Sequence, residues 1–366
     1  MYKPYFNLTN NLLTYISSIE SAKALIDHSP LVPAWEAKFK KDAMARTIHF
    51  GTKIEGNDLT QDQAQKVSRL ELVDDPEEAA KRAGIIARER DIQEVLNYRN
   101  VIKWIDEQDP TLSPNLLSEK TLKNLHSLTM DRLLVEDQIG HYRRKQVIVK
   151  GAGDSAGKIV FRPPISVEVP FMVEEFFEWL NSPETKKTHP IFRAAIAHYQ
   201  LVFIHPFIEG NGRTARALAS LILYGTGYDF KRFFSLEEYF DSDVESYYSA
   251  LQSVQQSENA EMTYWLEYFC YGLAIEVDKV KEKVLKLSKD LKLKKELGRQ
   301  VALSERQIIL LELLQDQGEI TSTDAQDILP NVSVDTVLRD LKDLIEKGVV
   351  KKHGVTKGVT YSLIDK

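Results

Sequence analysis

Between His205 and Arg216 the chain reads His-Pro-Phe-Ile-Glu-Gly-Asn-Gly-Arg-Thr-Ala-Arg, placing an imidazole, a carboxylate, two glycines and two guanidinium groups side by side. His205, with an unperturbed pKa of roughly 6.5, is suited to taking a proton from a hydroxyl near neutral pH. Glu209 offers a hard oxygen ligand for one Mg²⁺ whose other ligands are phosphate oxygens and water. Arg213 and Arg216 are three residues apart, which puts both on one face of a first helical turn. Cations at a helix N-terminus oppose the macrodipole, so two arginines there call for a multiply charged anion or an acidic side chain between them. A polyphosphate meets that requirement.

The flanking residues show how these groups are held. Phe192, Ala195, Ile196, Tyr199, Val202 and Phe203 recur at helical spacing, and Pro206 disfavours helix at the residue before it, so a helix over 191–204 should stop at His205. Ala217, Leu218, Leu221 and Ile222 repeat with the same period until Gly225 and Gly227, which starts a second helix near Arg213. Gly210-Asn211-Gly212 is then the entry turn, with unpaired backbone N–H groups that glycine lets an anion approach closely.

The run resembles the signature of the Fic (Fic/Doc) proteins, His-Pro-Phe-x-Asp/Glu-Gly-Asn-Gly-Arg-x-x-Arg, at every specified position. The resemblance implies transfer of a nucleoside monophosphate, usually AMP from ATP, to a protein hydroxyl. His205 would deprotonate that hydroxyl and Glu209 would bind Mg²⁺. Gly210, Asn211, Gly212 and Arg213, joined by Thr214, would hold the nucleotide phosphates. Arg216 would reach the γ-phosphate, and Phe207 would anchor the loop. It also implies an inhibitory helix of pattern Ser/Thr-x-x-x-Glu-Gly/Asn, whose glutamate pairs with the last arginine. Glu55-Gly56 fits the second half, whereas Gly51 stands at the first position with Thr52 one place later. A tyrosine pair flanks the nucleotide in many Fic proteins, making Tyr247 and Tyr248 adenine-pocket residues with Gln255 as a polar contact.

At 366 residues with 43% hydrophobic composition the chain has room for two or three domains with ordinary cores. A net charge of −6 gives no global attraction to nucleic acid or anionic membrane. The single cysteine excludes an intrachain disulfide, and no apolar run approaches the roughly 18 residues of a spanning helix, so a cytoplasmic protein is expected.

Helical stripes run over 8–27 and from Trp35 towards Ile54. A charged helical region follows over 59–107, broken at Asp74-Asp75-Pro76, with Ile85, Ile86, Ile92 and Leu96 facing inward. Another helix covers 117–133 and carries His126, which reads as structural. Residues 146–164 change character, Val147-Ile148-Val149 and Ile159-Val160-Phe161 flanking a glycine-rich turn, which reads as a β-hairpin. In the Fic family this position is a flap whose strand edge pairs with the target protein, a role that open edges suit physically. Helices follow over 167–180 and 243–255; His198, seven residues before the signature, reads as a core histidine.

Residues 276–300 carry nine basic against five acidic residues and read as a helical connector. From about 301 comes a winged-helix order: helices at Ile308–Leu314, 323–329 and from Ser333, then strands at Val349-Val350 and Val359–Leu363. Eight basic against eleven acidic residues over 301–366 make DNA the less favoured partner, behind a protein contact or a homo-oligomer.

The expected fold is therefore mainly α: an N-terminal helical region (1–110), a Fic-type core with a β-hairpin flap (111–275), the connector (276–300) and an α/β winged-helix domain (301–366). The expected function is protein adenylyltransferase, with ATP and Mg²⁺ as substrate and cofactor and Glu55 restraining the resting enzyme. The alternatives are a nucleotide-sensing transcription regulator, removal of AMP from protein, or another nucleotide donor.

Overall fold

A computed structural model describes residues 2–29, 31, 33–70, 75–108, 116–150, 157, 159–296, 303–329, 332–354 and 359–364. Helices dominate, in the order α1 (Asn10–His28), α2 (Pro33–Lys53), α3 (Gln61–Ser68), α4 (Pro76–Ala83), α5 (Glu89–Glu107) and α6 (Glu119–Met130). The hairpin strands β1 (Val149–Lys150) and β2 (Ile159–Phe161) follow. After them come α7 (Val169–Asn181), α8 (Pro183–Lys187), α9 (Pro190–Ile204), α10 (Asn211–Gly225), α11 (Leu236–Ser242), α12 (Val244–Gln256) and α13 (Thr263–Glu296). The C-terminal elements are α14 (Glu305–Gln317), β3 (Glu319–Thr321), α15 (Ser322–Asp327), α16 (Val334–Glu346), β4 (Val350–His353) and β5 (Thr360–Leu363). Among the described residues no helix is long and apolar enough to cross a membrane.

The chain divides into two units, one of Met1–Asp27 with Lys40–Glu282 and one of His28–Phe39 with Lys283–Lys366. In the first, α9 and α10 pack together most extensively, with α5, α6 and α7 around them. This follows from composition: Ile191, Ala194, Ala195, Ile196, Ala197, Leu201 and Ile204 on α9 are buried, and small residues there let α10 approach closely. Trp265 on α13 donates its indole N–H to the Ala195 carbonyl at 2.8 Å, fixing that helix against α9. The hairpin pairs Val149 with Phe161 and Lys150 with Ile159, antiparallel; most of its turn lies outside the described residues.

In the second unit α14, α15 and α16 accompany an antiparallel sheet of order β3-β5-β4, with β3 between α14 and α15 in the chain. The first strand, β3, was not expected; three residues directly after Gly318 are too few to show an alternating pattern in the sequence. One other expectation is corrected. Ile86, expected to face inward, is fully exposed, because it lies in the irregular link between α4 and α5 and belongs to no helical face. The stretch expected as a helical connector over 276–300 is helical to Glu296, as the continuation of α13, and 297–300 lie outside the described residues. Val280, Val284 and Leu287 on this part of α13 are buried.

Candidate active site

The loop between α9 and α10 is held by contacts within it and by Arg143 and His126 from earlier in the chain. His205 closes α9 in the left-handed conformation (φ 51°, ψ 58°), a strained geometry for a residue with a Cβ. Arg143 holds it there: its Nε donates to the His205 carbonyl at 2.7 Å, another guanidinium nitrogen to the Pro164 carbonyl at 2.6 Å, and its backbone N–H to the Pro206 carbonyl at 2.9 Å. A buried cation thus satisfies carbonyls at a helix C-terminus, where it also complements the dipole.

Phe207 is fully buried and stacks on His126, ring centroids 3.7 Å apart and planes 10° apart. The His126 ring accepts from the Gly140 N–H at Nδ1 (2.9 Å), so its Nε2 carries the proton and donates to the Glu209 carbonyl at 3.1 Å. Burial pushes the His126 pKa down to about 4, consistent with a neutral ring. Asn211 closes the loop from inside, its Oδ1 accepting from the Phe207 N–H at 2.9 Å and its Nδ2 donating to the Phe207 carbonyl at 3.0 Å. Thr214 donates its hydroxyl to the Gly210 carbonyl at 2.8 Å. The side chains of Asn211 and Thr214, expected at the phosphates, are therefore spent within the loop; Asn211 still offers its backbone N–H at the helix entrance, whereas the Thr214 N–H is donated to the Gly210 carbonyl at 3.0 Å.

Gly210 begins α10 at φ 76°, where no side chain caps the helix. A Cβ there would stand 2.4 Å from the Met130 sulfur, and one at Gly212 would stand 2.3 Å from Glu55 Oε1. Gly210 needs glycine for its left-handed backbone, whereas a Cβ at Gly212 would displace the end of the Glu55 side chain.

Because α10 begins at Asn211, Arg213 lies in its first turn and Arg216 in its second, and both are buried. Arg216 donates to Glu55 Oε1 at 2.8 Å and to the Gly51 carbonyl at 2.9 Å, so one guanidinium binds both a carboxylate and a carbonyl of the last turn of α2. Burial alone would raise the Glu55 pKa, but the Arg216 and Arg213 charges outweigh it and hold the carboxyl below its usual value; Arg216 is correspondingly raised by Glu55 despite its own burial. Gly51 has a steric explanation, since a Cβ there would meet the Tyr98 ring at 2.4 Å. Thr52 turns its hydroxyl back on α2, to the Ile48 and His49 carbonyls.

Arg213 lies 3.4 Å from Glu94 Oε1 and 3.9 Å from Glu209 Oε1. Glu209 is half exposed and also contacts Arg90. Arg213 Nε and Nη1 and Arg216 Nε are buried without a hydrogen-bond partner among the described residues. The arginines therefore keep donor capacity that the resting protein does not use.

His205 is half-buried, with Nδ1 3.3 Å from the Val202 carbonyl, which makes Nδ1 the donor and leaves the Nε2 lone pair free. Burial, only partly offset by that carbonyl, pushes its pKa down to about 4. A cleft beside it is lined by Glu55, Gly212, Arg216, Tyr247, Tyr248 and Gln255, with Val149, Val160 and Phe161 from the hairpin. The structure thus brings His205, the α10 entrance, Arg216, Glu55 and the tyrosine pair to one cleft. Tyr247 is nearly inaccessible, its hydroxyl 3.1 Å from His198 Nε2, while Tyr248 is half-buried.

Arg143, His126, Glu94 and Arg90 were not singled out for the site. Arg90, Glu94 and Tyr98 are four residues apart on α5 and share one face, a spacing that could have found them inside what reads as a solvated charge run.

Residues 116–223 match the Fic/DOC family model and residues 306–358 the DeoR-like helix-turn-helix domain model. The protein adenylyltransferase Fic of Drosophila grimshawi is 34% identical over 191 residues, covering 52% of this chain and 35% of the relative. The match therefore spans about a third of that relative's length. A Fic family protein from Desulfovibrio desulfuricans G20 superposes with a TM-score of 0.64 at 22% identity, covering 100% of this chain and 99% of the other. Fic-1 from C. elegans superposes with a TM-score of 0.53 at 22% identity, covering 76% and 73% respectively. The likeness to the Fic/DOC family thus lies in residues 116–223, and the likeness to a helix-turn-helix domain lies in 306–358, where the elements follow winged-helix order.

Proposed function

We propose that this protein is an adenylyltransferase that moves AMP from ATP to a hydroxyl side chain of a protein, restrained at rest by Glu55. The observation that carries the reading is the pair of buried arginines with unspent donors at an uncapped helix entrance, beside a cleft-lining histidine whose Nδ1 is engaged by a backbone carbonyl. Such an entrance suits a polyphosphate. The D. grimshawi relative, an adenylyltransferase by name, supports the donor and the transferred group.

In this mechanism His205 Nε2 takes the proton of the acceptor hydroxyl as its oxygen attacks the α-phosphorus. The bond from that phosphorus to the bridging oxygen breaks, and pyrophosphate leaves with the electron pair. The backbone N–H groups of 211–213 and the guanidinium of Arg213 stabilise the charge that develops on the phosphates. Glu209, half exposed and ion-paired with Arg90 at rest, would exchange that partner for a Mg²⁺ ion whose other ligands would be phosphate oxygens and water. Such an ion would neutralise phosphate charge. The short edges of β1 and β2 are the proposed docking line for the protein substrate.

A second reading, a nucleotide-sensing transcription regulator, is favoured only by the helix-turn-helix match. ATP labelled on the α-phosphate in one sample and on the γ-phosphate in another separates the two. Transfer of the α-label to protein, abolished by His205→Ala, is the expected result. Nucleotide binding with neither label transferred would favour the sensor.

A further inference from the structure

His126 is fully buried on α6, and both of its ring nitrogens are committed. Nδ1 accepts from the Gly140 N–H at 2.9 Å, which leaves the proton on Nε2, 3.1 Å from the Glu209 carbonyl. The stack on Phe207, with planes 10° apart, keeps the ring from turning. A ring fixed in this way dictates where the Glu209 carbonyl points.

The carbonyl in turn dictates where the next N–H points. The peptide from Glu209 to Gly210 is trans, and in a planar trans peptide the C=O and the N–H lie on opposite sides. With the Glu209 oxygen turned onto His126, the Gly210 N–H is turned away from it. That N–H has no hydrogen-bond partner among the described residues, and neither have those of Asn211, Gly212 and Arg213 that follow it into α10. Arg213, 2% accessible, keeps its Nε and Nη1 without a hydrogen-bond partner in the same turn. Backbone and side-chain donors are thus left unused at one entrance.

The backbone alone would not hold this orientation. Half a turn of the Glu209–Gly210 peptide would take the Gly210 φ from 76° to roughly −100°, and glycine accepts both. The turned peptide would place a carbonyl oxygen where the donor stands, and a carbonyl oxygen repels an anion. The hydrogen bond from His126 separates the two orientations.

We propose that His126 is a positioning residue of the phosphate cradle: by holding the Glu209 carbonyl in the core, it keeps the Gly210 N–H available as a donor to a phosphate oxygen of the bound polyphosphate. The inference rests on the polyphosphate reading above and adds to it a backbone donor and the side chain that sets it. It also gives a reason for a histidine, in place of an apolar residue, against Phe207.

The test uses the full chain carrying Glu55→Ala, so that the carboxylate does not compete for Arg216, with Mg²⁺ and with ATP, pyrophosphate or adenosine as probe. His126→Gln can keep an N–H near the Nε2 position. His126→Asn can keep an acceptor near Nδ1 but cannot reach Glu209, and His126→Phe keeps only the stack. His126→Asn and His126→Phe should each weaken ATP and pyrophosphate about five- to fiftyfold, the span for losing one hydrogen bond to a charged group in some or all of the molecules. Adenosine, which carries no phosphate, should shift less than about twofold, and His126→Gln should stay within about threefold of the parent. Losses of the same size for adenosine, His126→Gln as weak as His126→Phe, or unchanged pyrophosphate binding in His126→Phe would overturn the proposal.

A nitrogen-15 NMR spectrum of the unsubstituted protein tests the same point without depending on how a variant folds. His126 should show the Nε2–H tautomer, with a coupling across the hydrogen bond to the Glu209 carbonyl carbon, and the Nδ1–H tautomer would refute the inference. Failure of the parent Glu55→Ala protein to bind ATP would instead count against the proposed function, leaving pyrophosphate and the tautomer to decide this one.

Discussion

Replacing Glu55 by alanine should move two measurable quantities in opposite directions. At rest Glu55 Oε1 lies 2.8 Å from Arg216, whose side chain is 2% accessible against 26% for Glu55. A hydrogen bond to a charged group contributes about 1.5–3 kcal/mol, and the accessible quarter of Glu55 argues for the lower half of that range. An incoming triphosphate must displace this contact before it can use Arg216. Removing the carboxylate should therefore tighten ATP binding by about 1.5–2 kcal/mol, roughly ten- to thirtyfold. The same substitution leaves a buried guanidinium without its counterion, so the nucleotide-free protein should lose stability and melt earlier. Titration calorimetry with ATP and a thermal melt without it read the two effects. An ATP affinity within twofold of wild type, or a nucleotide-free protein that melts later, would refute the reasoning that this contact occupies the triphosphate site.

Four further outcomes follow from the geometry. Arg143→Ala frees the carbonyls that hold His205 in its left-handed conformation, so the turnover rate should fall at least about tenfold while ATP affinity changes little; equal losses in both would contradict a role confined to His205. Phe207→Ala empties a fully buried ring site stacked on His126 and should cost about 3–5 kcal/mol in a denaturant melt. Acid stability follows from His126 and His198, held down to about 4 and about 3 by burial. Because both folded pKa values lie below the unfolded value of roughly 6.5, the unfolded state binds more protons as pH falls below that point. Stability should therefore be full above pH ~6.5, fall by several kcal/mol towards pH ~4, and level off below the folded values, with a shallower fall in His126→Gln. The His205 pKa of about 4 places the acid limb of kcat/KM well below the pH of ordinary histidine titration; a midpoint near 6.5 would mean that His205 is not the base.

The signature loop was legible because its chemistry is local. Pro206 stops α9, the glycines open α10, and the three-residue spacing of the arginines puts them on one face whatever surrounds them. Glu55-Gly56 was legible as a helix end, and only the fold brings it to Arg216, 161 positions later. Gly51, a departure from the family pattern in the sequence, is explained by a distant ring: Tyr98 fills the space a side chain would need, and the Gly51 carbonyl bonds Arg216 directly.

The supporting residues were hidden for a common reason. Arg143, His126 and Glu94 act on groups far along the chain, and their own neighbours in sequence give no sign of it. Arg90 and Glu94 sat in a charge run whose ordinary meaning is a solvated face, yet Glu94 is buried against Arg213. Tyr247 was expected to flank a base; its ring does line the cleft, but its hydroxyl is committed to His198. In the C-terminal unit the helix and wing pattern was readable from apolar periodicity, whereas β3 became visible only through its pairing with β5.

The most direct measurement of the central claim is mass spectrometry of proteins incubated with the Glu55→Ala enzyme, ATP and Mg²⁺. Adenylyl groups on serine, threonine or tyrosine hydroxyls, absent when His205 is also replaced by alanine, are the predicted result. Phosphoryl groups in their place, or adducts that persist without His205, would contradict it.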